Sequence, residues 1–195
     1  MKKLIFILSL IVVVYSCGEK FDTIEDLSEE KYNLIDQNNA SVNFPQIVRG
    51  KIAVVGYIFT NCPDICPLTT NNMRLIQERL KEEKVKDVEF VSISFDPLVD
   101  KPEVLRKFAE IRNLNLGNWT FLTGEKNVID SLMKKAQIFA IPGDSTLFPN
   151  GEKIIYYIHT DRIQIMDVDG KIRKNYPGST INVNEIVEDI KSLVD

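Results

Sequence analysis

The sequence predicts an α/β fold, with a mixed central sheet and helices on both faces. Three features carry that expectation. Continuous apolar runs of strand length at residues 51–59 and 87–96 read as interior strands covered on both sides. Segments with apolar residues three and four apart alternate with these runs along the chain. Such alternation makes strands parallel neighbours, and a closing hairpin adds antiparallel ones, so the sheet is mixed.

The 195 residues suit one domain and a tail, and 44% hydrophobic with 27% charged residues is the composition of an ordinary packed globule. The chain begins MKKLIFILSLIVVVYSCGEK, with Lys2 and Lys3 ahead of an apolar run from Leu4 to Tyr15 broken only by Ser9. At about 1.5 Å per residue that run makes roughly 18 Å of helix, short of a hydrocarbon layer of roughly 30 Å. A secretory signal is expected rather than a membrane-spanning helix. Ser16 before Cys17, with Val14 three positions ahead of the cysteine, resembles the lipobox of bacterial lipoproteins. On that resemblance residues 1–16 are removed and Cys17 carries lipid. The domain would then be anchored in a bacterial cell envelope, on the extracytoplasmic side of a membrane. Residues 17–31 are acidic and weakly periodic and suit a tether, which leaves residues 32–195 as the domain.

The formal net charge is −4, and loss of the two amino-terminal lysines lowers it to −6. An acidic domain without a basic cluster repels phosphate backbones and lacks the counterion-release term that drives nucleic-acid binding. DNA and RNA are not expected as partners.

Within the domain, the stretch YNLIDQNNASVNF has two short segments around asparagines that suit a hairpin turn. The run KIAVVGYIF is the first interior strand. A helix is expected over residues 67–84, with Pro67 in its first turn and Met73, Ile76 and Leu80 on one face. DVEFVSISFD is the second interior strand, and the following helix carries Val104, Leu105, Phe108 and Ile111 on one face. WTFLTG reads as a short strand and turn, and Ile129, Leu132, Met133 and Ala136 mark a third helix. Proline and glycine punctuate residues 142–151. KIIYYIH and RIQIMDVDGKIRKNY then read as strands, with a turn at Asp169 and Gly170, and NEIVEDIKSLV closes the chain as a helix. This order resembles a thioredoxin-like fold.

Two of the three cysteines, Cys62 and Cys66, lie four residues apart between the first interior strand and the first helix. Unpaired N–H groups at a helix start stabilise an anion, so a thiolate there has a lowered pKa. The pair reads as a structural disulfide, a redox dithiol or part of a soft-metal site. Exported proteins favour disulfides, but so short a loop constrains the unfolded chain little. His159, the only histidine, ends the run KIIYYIH. Two thiolates and one imidazole form a trigonal soft set suited to Cu(I), and with a further ligand to Cu(II), provided the fold brings the loops together. Structural zinc fits less well, because it takes four protein ligands and the domain offers three once Cys17 is lipidated. A cysteine hydrolase using His159 as base is disfavoured by a second cysteine poised to trap the nucleophile. The sequence has no Gly-rich phosphate loop, no HExxH and no GxSxG.

The string FTNCPDICP with the distant His159 resembles the Sco/SenC family of copper-binding, thioredoxin-like proteins. The resemblance extends through YNLIDQNN, VSISFDPLVDKPEVLRKFA, WTFLTG and YYIHTDRIQIMDVDGKI, over about residues 32–195. It implies a membrane-tethered metallochaperone that binds one copper ion through Cys62, Cys66 and His159 and assists assembly of the CuA centre of cytochrome c oxidase. The implied partner is the oxidase subunit bearing that centre, or another copper or thiol protein. The alternative is a thiol-disulfide oxidoreductase whose redox dithiol, Cys62 and Cys66, acts on a partner's cysteines. Family members commonly have an acidic residue directly before the histidine, where this chain has Ile158, and residues 141–152 depart from the family pattern. Asp64 lies inside the cysteine loop, Asp96 and Pro97 make a turn at the end of the second interior strand, and Trp119 reads as a core or rim aromatic.

Overall fold

A computed structural model describes residues 20–149, 151 and 153–194; the expected signal at 1–16 and the lipidation site Cys17 lie outside the described residues. In chain order the strands are β1 (Glu25–Asp26), β2 (Tyr32–Asp36), β3 (Ser41–Phe44), β4 (Ile52–Ile58), β5 (Val88–Ser94), β6 (Trp119–Gly124), β7 (Ala140–Leu147), β8 (Lys153–His159), β9 (Ile163–Met166) and β10 (Lys171–Tyr176). The helices are α1 (Ile65–Glu82), α2 (Pro102–Ile111), α3 (Lys126–Lys135) and α4 (Val183–Val194). Eight strands form one sheet in the order β1-β10-β9-β4-β5-β6-β2-β3, while β7 and β8 form a separate hairpin.

The two apolar runs become neighbouring central strands. β4 and β5 pair in parallel from Ile52↔Val88 to Ile58↔Ser94, and β6 continues the parallel set. β9 adds antiparallel to the other side of β4, and β2 adds antiparallel to β6, so the sheet is mixed as expected. Every residue of β4 is buried, because it has a strand on each side and helices above and below. Burial of each large aliphatic side chain there stabilises the fold by roughly 1.5–3 kcal/mol.

Side-chain alternation assigns the helices to faces. Gly56 faces Met73 and Thr69 of α1, and a Cβ at this position would collide with the Met73 sulfur, so glycine lets helix and strand approach closely. Trp119 and Phe121 share that face: the Trp119 indole donates to Ser92 Oγ at 3.0 Å, and Phe108 of α2 lies 6.1 Å from the Phe121 ring. Trp119 is therefore a core residue, with α1 and α2 on the same side. On the opposite face Tyr57 donates to Gln164, whose amide donates to the Ala136 carbonyl just beyond α3. α4 packs against α1 and β4.

Three expectations change. Of the segment 17–31, read as a tether, the described residues 20–31 contribute to the fold. Glu25 and Asp26 pair with β10, Leu27 is fully buried, and the Phe21 carbonyl accepts a hydrogen bond from Arg173. Asp22, Asp26 and Glu29 are exposed and Glu25 is engaged by Gln137 and Lys135, so acidic neighbours mask an apolar anchor and the packed domain begins before Tyr32. In α2 the buried stripe is Leu105, Phe108 and Ala109, whereas Ile111 is 65% exposed. At 100° per residue, positions 104 and 111 lie roughly 100° from the centre of that stripe and flank it. Residues 140–147 form β7 despite Pro142 and Gly143; the register shifts between Pro142 and Ser145, and this irregularity accommodates them. The run KIIYYIH is a strand, as expected, but it pairs with β7 and not with the main sheet.

Candidate metal centre

The cysteine loop follows β4, at the carboxyl end of the parallel strands, where open α/β sheets place their working residues. The loop is held before the first sulfur. The carboxylate of Asp100, 1% exposed, accepts hydrogen bonds from the Thr60 N–H at 3.0 Å, the Thr60 hydroxyl at 2.5 Å and the Ser94 hydroxyl at 2.5 Å. Burial of this carboxyl pushes its pKa above the ordinary 3.8, against the hydrogen bonds. The Cys62 N–H then donates to the Phe59 carbonyl at 3.2 Å and closes the turn.

α1 begins inside the motif, two residues earlier than its proline suggested, and Cys66 occupies its first turn. The N-cap residue Asp64 makes no side-chain cap. Its place is taken by sulfur, because the Cys66 N–H donates to Cys62 Sγ at 3.3 Å. A free helix N–H aimed at a sulfur favours the thiolate. A hydrogen bond from the Cys66 thiol lowers the Cys62 pKa to about 4, with help from His159 and the backbone N–H groups of Cys66 and Asp64 and against burial. Cys66 shifts the other way: its bond to the Cys62 sulfur and its burial hold the proton on. Neither cysteine is in a disulfide; Cys66 is buried and Cys62 half-buried.

His159 is the last residue of β8, and its ring sits against the sulfurs. Nδ1 donates to the Thr160 carbonyl at 3.1 Å, which leaves Nε2 directed at Cys66 Sγ, 3.8 Å away. Burial opposes a charged ring, yet the Cys62 sulfur and the Thr160 carbonyl outweigh it and raise the His159 pKa. Aromatic rings wall the imidazole in. Phe95 lies 5.0 Å and Phe59 5.9 Å from it between ring centroids, and Tyr157 packs on both phenylalanines. At its back, the Thr160 N–H donates to the Phe139 carbonyl at 2.8 Å and the Phe139 N–H donates to the Thr160 hydroxyl at 3.0 Å.

One ligand atom from each of Cys62, Cys66 and His159 lies within 4.8 Å of the other two. Bonds of about 2.3 Å to sulfur and 2.0 Å to nitrogen, spread in a trigonal plane, need donors roughly 4 Å apart. The set fits a soft cation with little movement. The fold thus brings together the three residues that the sequence singled out.

The other candidates fall outside this group. Asp64 is exposed at the helix start. Asp96 is buried and its pKa is raised by desolvation, with the Tyr157 hydroxyl as a hydrogen-bonding neighbour; it supports the aromatic wall and is not one of the grouped donors. Ile158, where an acid was expected, is 73% exposed and pairs with exposed Ile141. Strand alternation turns position 158 away from the sulfurs, so an acid there would point to solvent. A cleft of about 550 Å³ between α3 and the β7–β8 hairpin shares Phe95 and Tyr157 with the wall but contains none of the three donors. Phe59, Phe95, Tyr157 and Asp100 shape the site and were not recognised in the sequence as doing so. An apolar run or a turn aspartate carries no local signal of a partner tens of residues away.

Fold and site together define a thioredoxin-like domain with a dithiol and an imidazole at its working edge. The chain belongs to the SCO1/SenC family, whose model matches residues 22–195. The SCO1 protein homolog of Bacillus subtilis is 32% identical over 164 residues, covering 84% of this chain and 81% of that protein. The crystal structure of a SCO1/SenC family lipoprotein from Bacillus anthracis is 33% identical with a TM-score of 0.73, covering 88% of this chain and 96% of that one. The structure of BsSco, a Sco-family cytochrome c oxidase assembly protein in which a disulfide switch was identified, is 30% identical with a TM-score of 0.71, over 90% and 96% of the two chains.

Proposed function

We propose that this protein is a membrane-tethered copper metallochaperone that assists assembly of the CuA centre of cytochrome c oxidase. One observation carries the metal reading: two sulfurs and an imidazole nitrogen, from segments 93 residues apart, converge within 4.8 Å. Copper is the cargo, and in its reduced form it favours a soft, low-coordinate S₂N set. Cys62 and Cys66 would supply thiolates and His159 its Nε2, held ready because Nδ1 is engaged by the Thr160 carbonyl. The Cys62 thiolate is already formed at neutral pH, so one donor needs no deprotonation, while the Cys66 proton leaves as the cation arrives. Oxidase assembly as the destination is supported by the likeness to BsSco, and a lipid anchor at Cys17 by the likeness to the Bacillus anthracis lipoprotein.

A second reading, thiol-disulfide oxidoreductase, is favoured by the depressed pKa of Cys62 beside a protonated Cys66, since the attacking species in disulfide exchange is the thiolate. The two readings are linked. Closure of Cys62 to Cys66 passes two electrons to an acceptor such as a partner's disulfide, releases the one proton held by Cys66 and takes away both sulfur donors, so redox state would gate loading. Anaerobic titration of the reduced soluble domain with Cu(I) tests this. One equivalent should be taken up, and the disulfide form should take up none. Turnover of a disulfide substrate by the metal-free protein, unchanged in His159→Ala, would favour the oxidoreductase.

A further inference from the structure

The hairpin that carries His159 is not part of the main sheet, and besides the aromatic wall a second contact ties its loop to the cysteine helix. That contact is visible two residues beyond the histidine. Asp161 Oδ2 accepts hydrogen bonds from the Ser179 N–H at 3.1 Å and the Ser179 hydroxyl at 2.6 Å. Its Oδ1 lies 3.4 Å from the hydroxyl of Thr69, on the α1 turn after Cys66. The same hydroxyl is 3.1 Å from the Ile65 carbonyl, so its one proton is shared between the two acceptors. Asn72, one turn further along α1, donates to the Gly178 carbonyl at 2.8 Å. Gly178 lets these pieces meet, because a Cβ there would fall 2.5 Å from Asp161 Oδ1 and 2.6 Å from the Thr69 hydroxyl. Three segments are thereby tied: the loop after His159, the helix of Cys66 and the loop between β10 and α4.

We propose that Asp161 is a positioning residue that latches the histidine loop to α1 and so keeps His159 Nε2 within reach of the two sulfurs. It is not a ligand, since it is absent from the group of converging donors. The inference rests on the copper reading only for its consequence in metal affinity; the latch itself is a property of the metal-free protein. Removing a side chain that orients a metal-binding group typically lowers affinity about 10- to 100-fold. Asp161→Asn keeps the size but replaces one acceptor oxygen with a donor, and should lie in that range. Ser179→Ala, which removes only one hydroxyl, should lie near the lower end.

The experiment compares wild type, Asp161→Asn, Ser179→Ala and the charge-matched control Asp169→Asn, all reduced and metal-free. Because His159 is the only histidine, its ring resonances are unambiguous in NMR spectra. Both latch variants should retain a dispersed, folded spectrum but lose ring-to-ring NOEs from His159 to Phe59 and Phe95, while Asp169→Asn keeps them. Competitive Cu(I) titration should then show the stated loss of affinity in the latch variants alone. Wild-type NOEs and affinity within twofold in both latch variants would overturn the proposal. So would lost affinity with intact NOEs, which would mean that Asp161 acts through its charge. Should Asp161→Asn fail to fold, Ser179→Ala decides on the same two readouts. If wild type takes up no copper, the copper reading fails while the NOEs still decide the latch.

Discussion

Asp100 offers the sharpest test of how the cysteine loop is held. Its buried carboxylate is the acceptor for three donors, two of them on Thr60, two residues before Cys62. Asp100→Asn leaves one acceptor oxygen and turns an amide donor toward a hydroxyl or N–H that also donates. Hydrogen bonds to a charged acceptor contribute about 1.5–3 kcal/mol each, and a buried donor left unmatched costs a similar amount. Relief of the buried charge, whose desolvation raises the Asp100 pKa, offsets part of this. A net loss of about 2 kcal/mol follows, or about 6 °C in Tm for a domain of this size. Thermal unfolding of the reduced, metal-free domain, followed by circular dichroism at neutral pH, measures it. Linkage fixes the sign of a second arm. A carboxyl whose pKa is raised on folding contributes stability that is fully present below 3.8 and lost as pH rises through the native value. The gap between wild type and Asp100→Asn should therefore be wider at low pH than at neutral pH. A Tm within 1 °C of wild type, or above it, would show that the carboxylate does not hold the loop.

Other outcomes follow from the same geometry. His159→Ala should lower copper affinity by at least roughly 10-fold and strongly weaken the sulfur-to-copper charge-transfer band seen with added Cu(II); full affinity would remove the imidazole from the site. With its pKa near 4, Cys62 should be almost wholly thiolate at pH 7, about 100-fold more than an ordinary thiol, so iodoacetamide should label Cys62 ahead of Cys66. The labelling rate should stay flat from pH 6 to 8 (roughly two to four units above that pKa) and fall as the pH drops towards 4; equal labelling of both sulfurs would contradict the assignment. Ile158→Asp should change stability by less than about 0.5 kcal/mol and leave copper affinity unaltered, because the side chain faces solvent. A clear gain in affinity would show that position 158 communicates with the site.

The central architecture was legible because its signals are local. β4 and β5 are unbroken apolar runs, and Met73, Ile76 and Leu80 repeat at helical spacing, so burial pattern and element type coincide. Leu27 was hidden by its acidic neighbours, which kept the start of the domain out of view. β7 was hidden by Pro142 and Gly143, which a free-standing hairpin tolerates better than an interior strand would. At the site, the cysteine pair announced itself by spacing, whereas a lone histidine has no spacing to read. Its relation to the sulfurs came from family resemblance and then from the fold. Asp100 and Asp161 were illegible for the same reason: each looks like an ordinary turn residue until the segment it binds is seen beside it.

The distance along the chain between the sulfurs and the ring also orders events in time. During synthesis Cys66 emerges 93 residues ahead of His159, a lag of about 5 to 20 s at typical elongation rates. Throughout that interval the nascent polypeptide displays two thiols with no nitrogen to complete the set, and an oxidant or stray metal that meets them then acts on a half-built receptor.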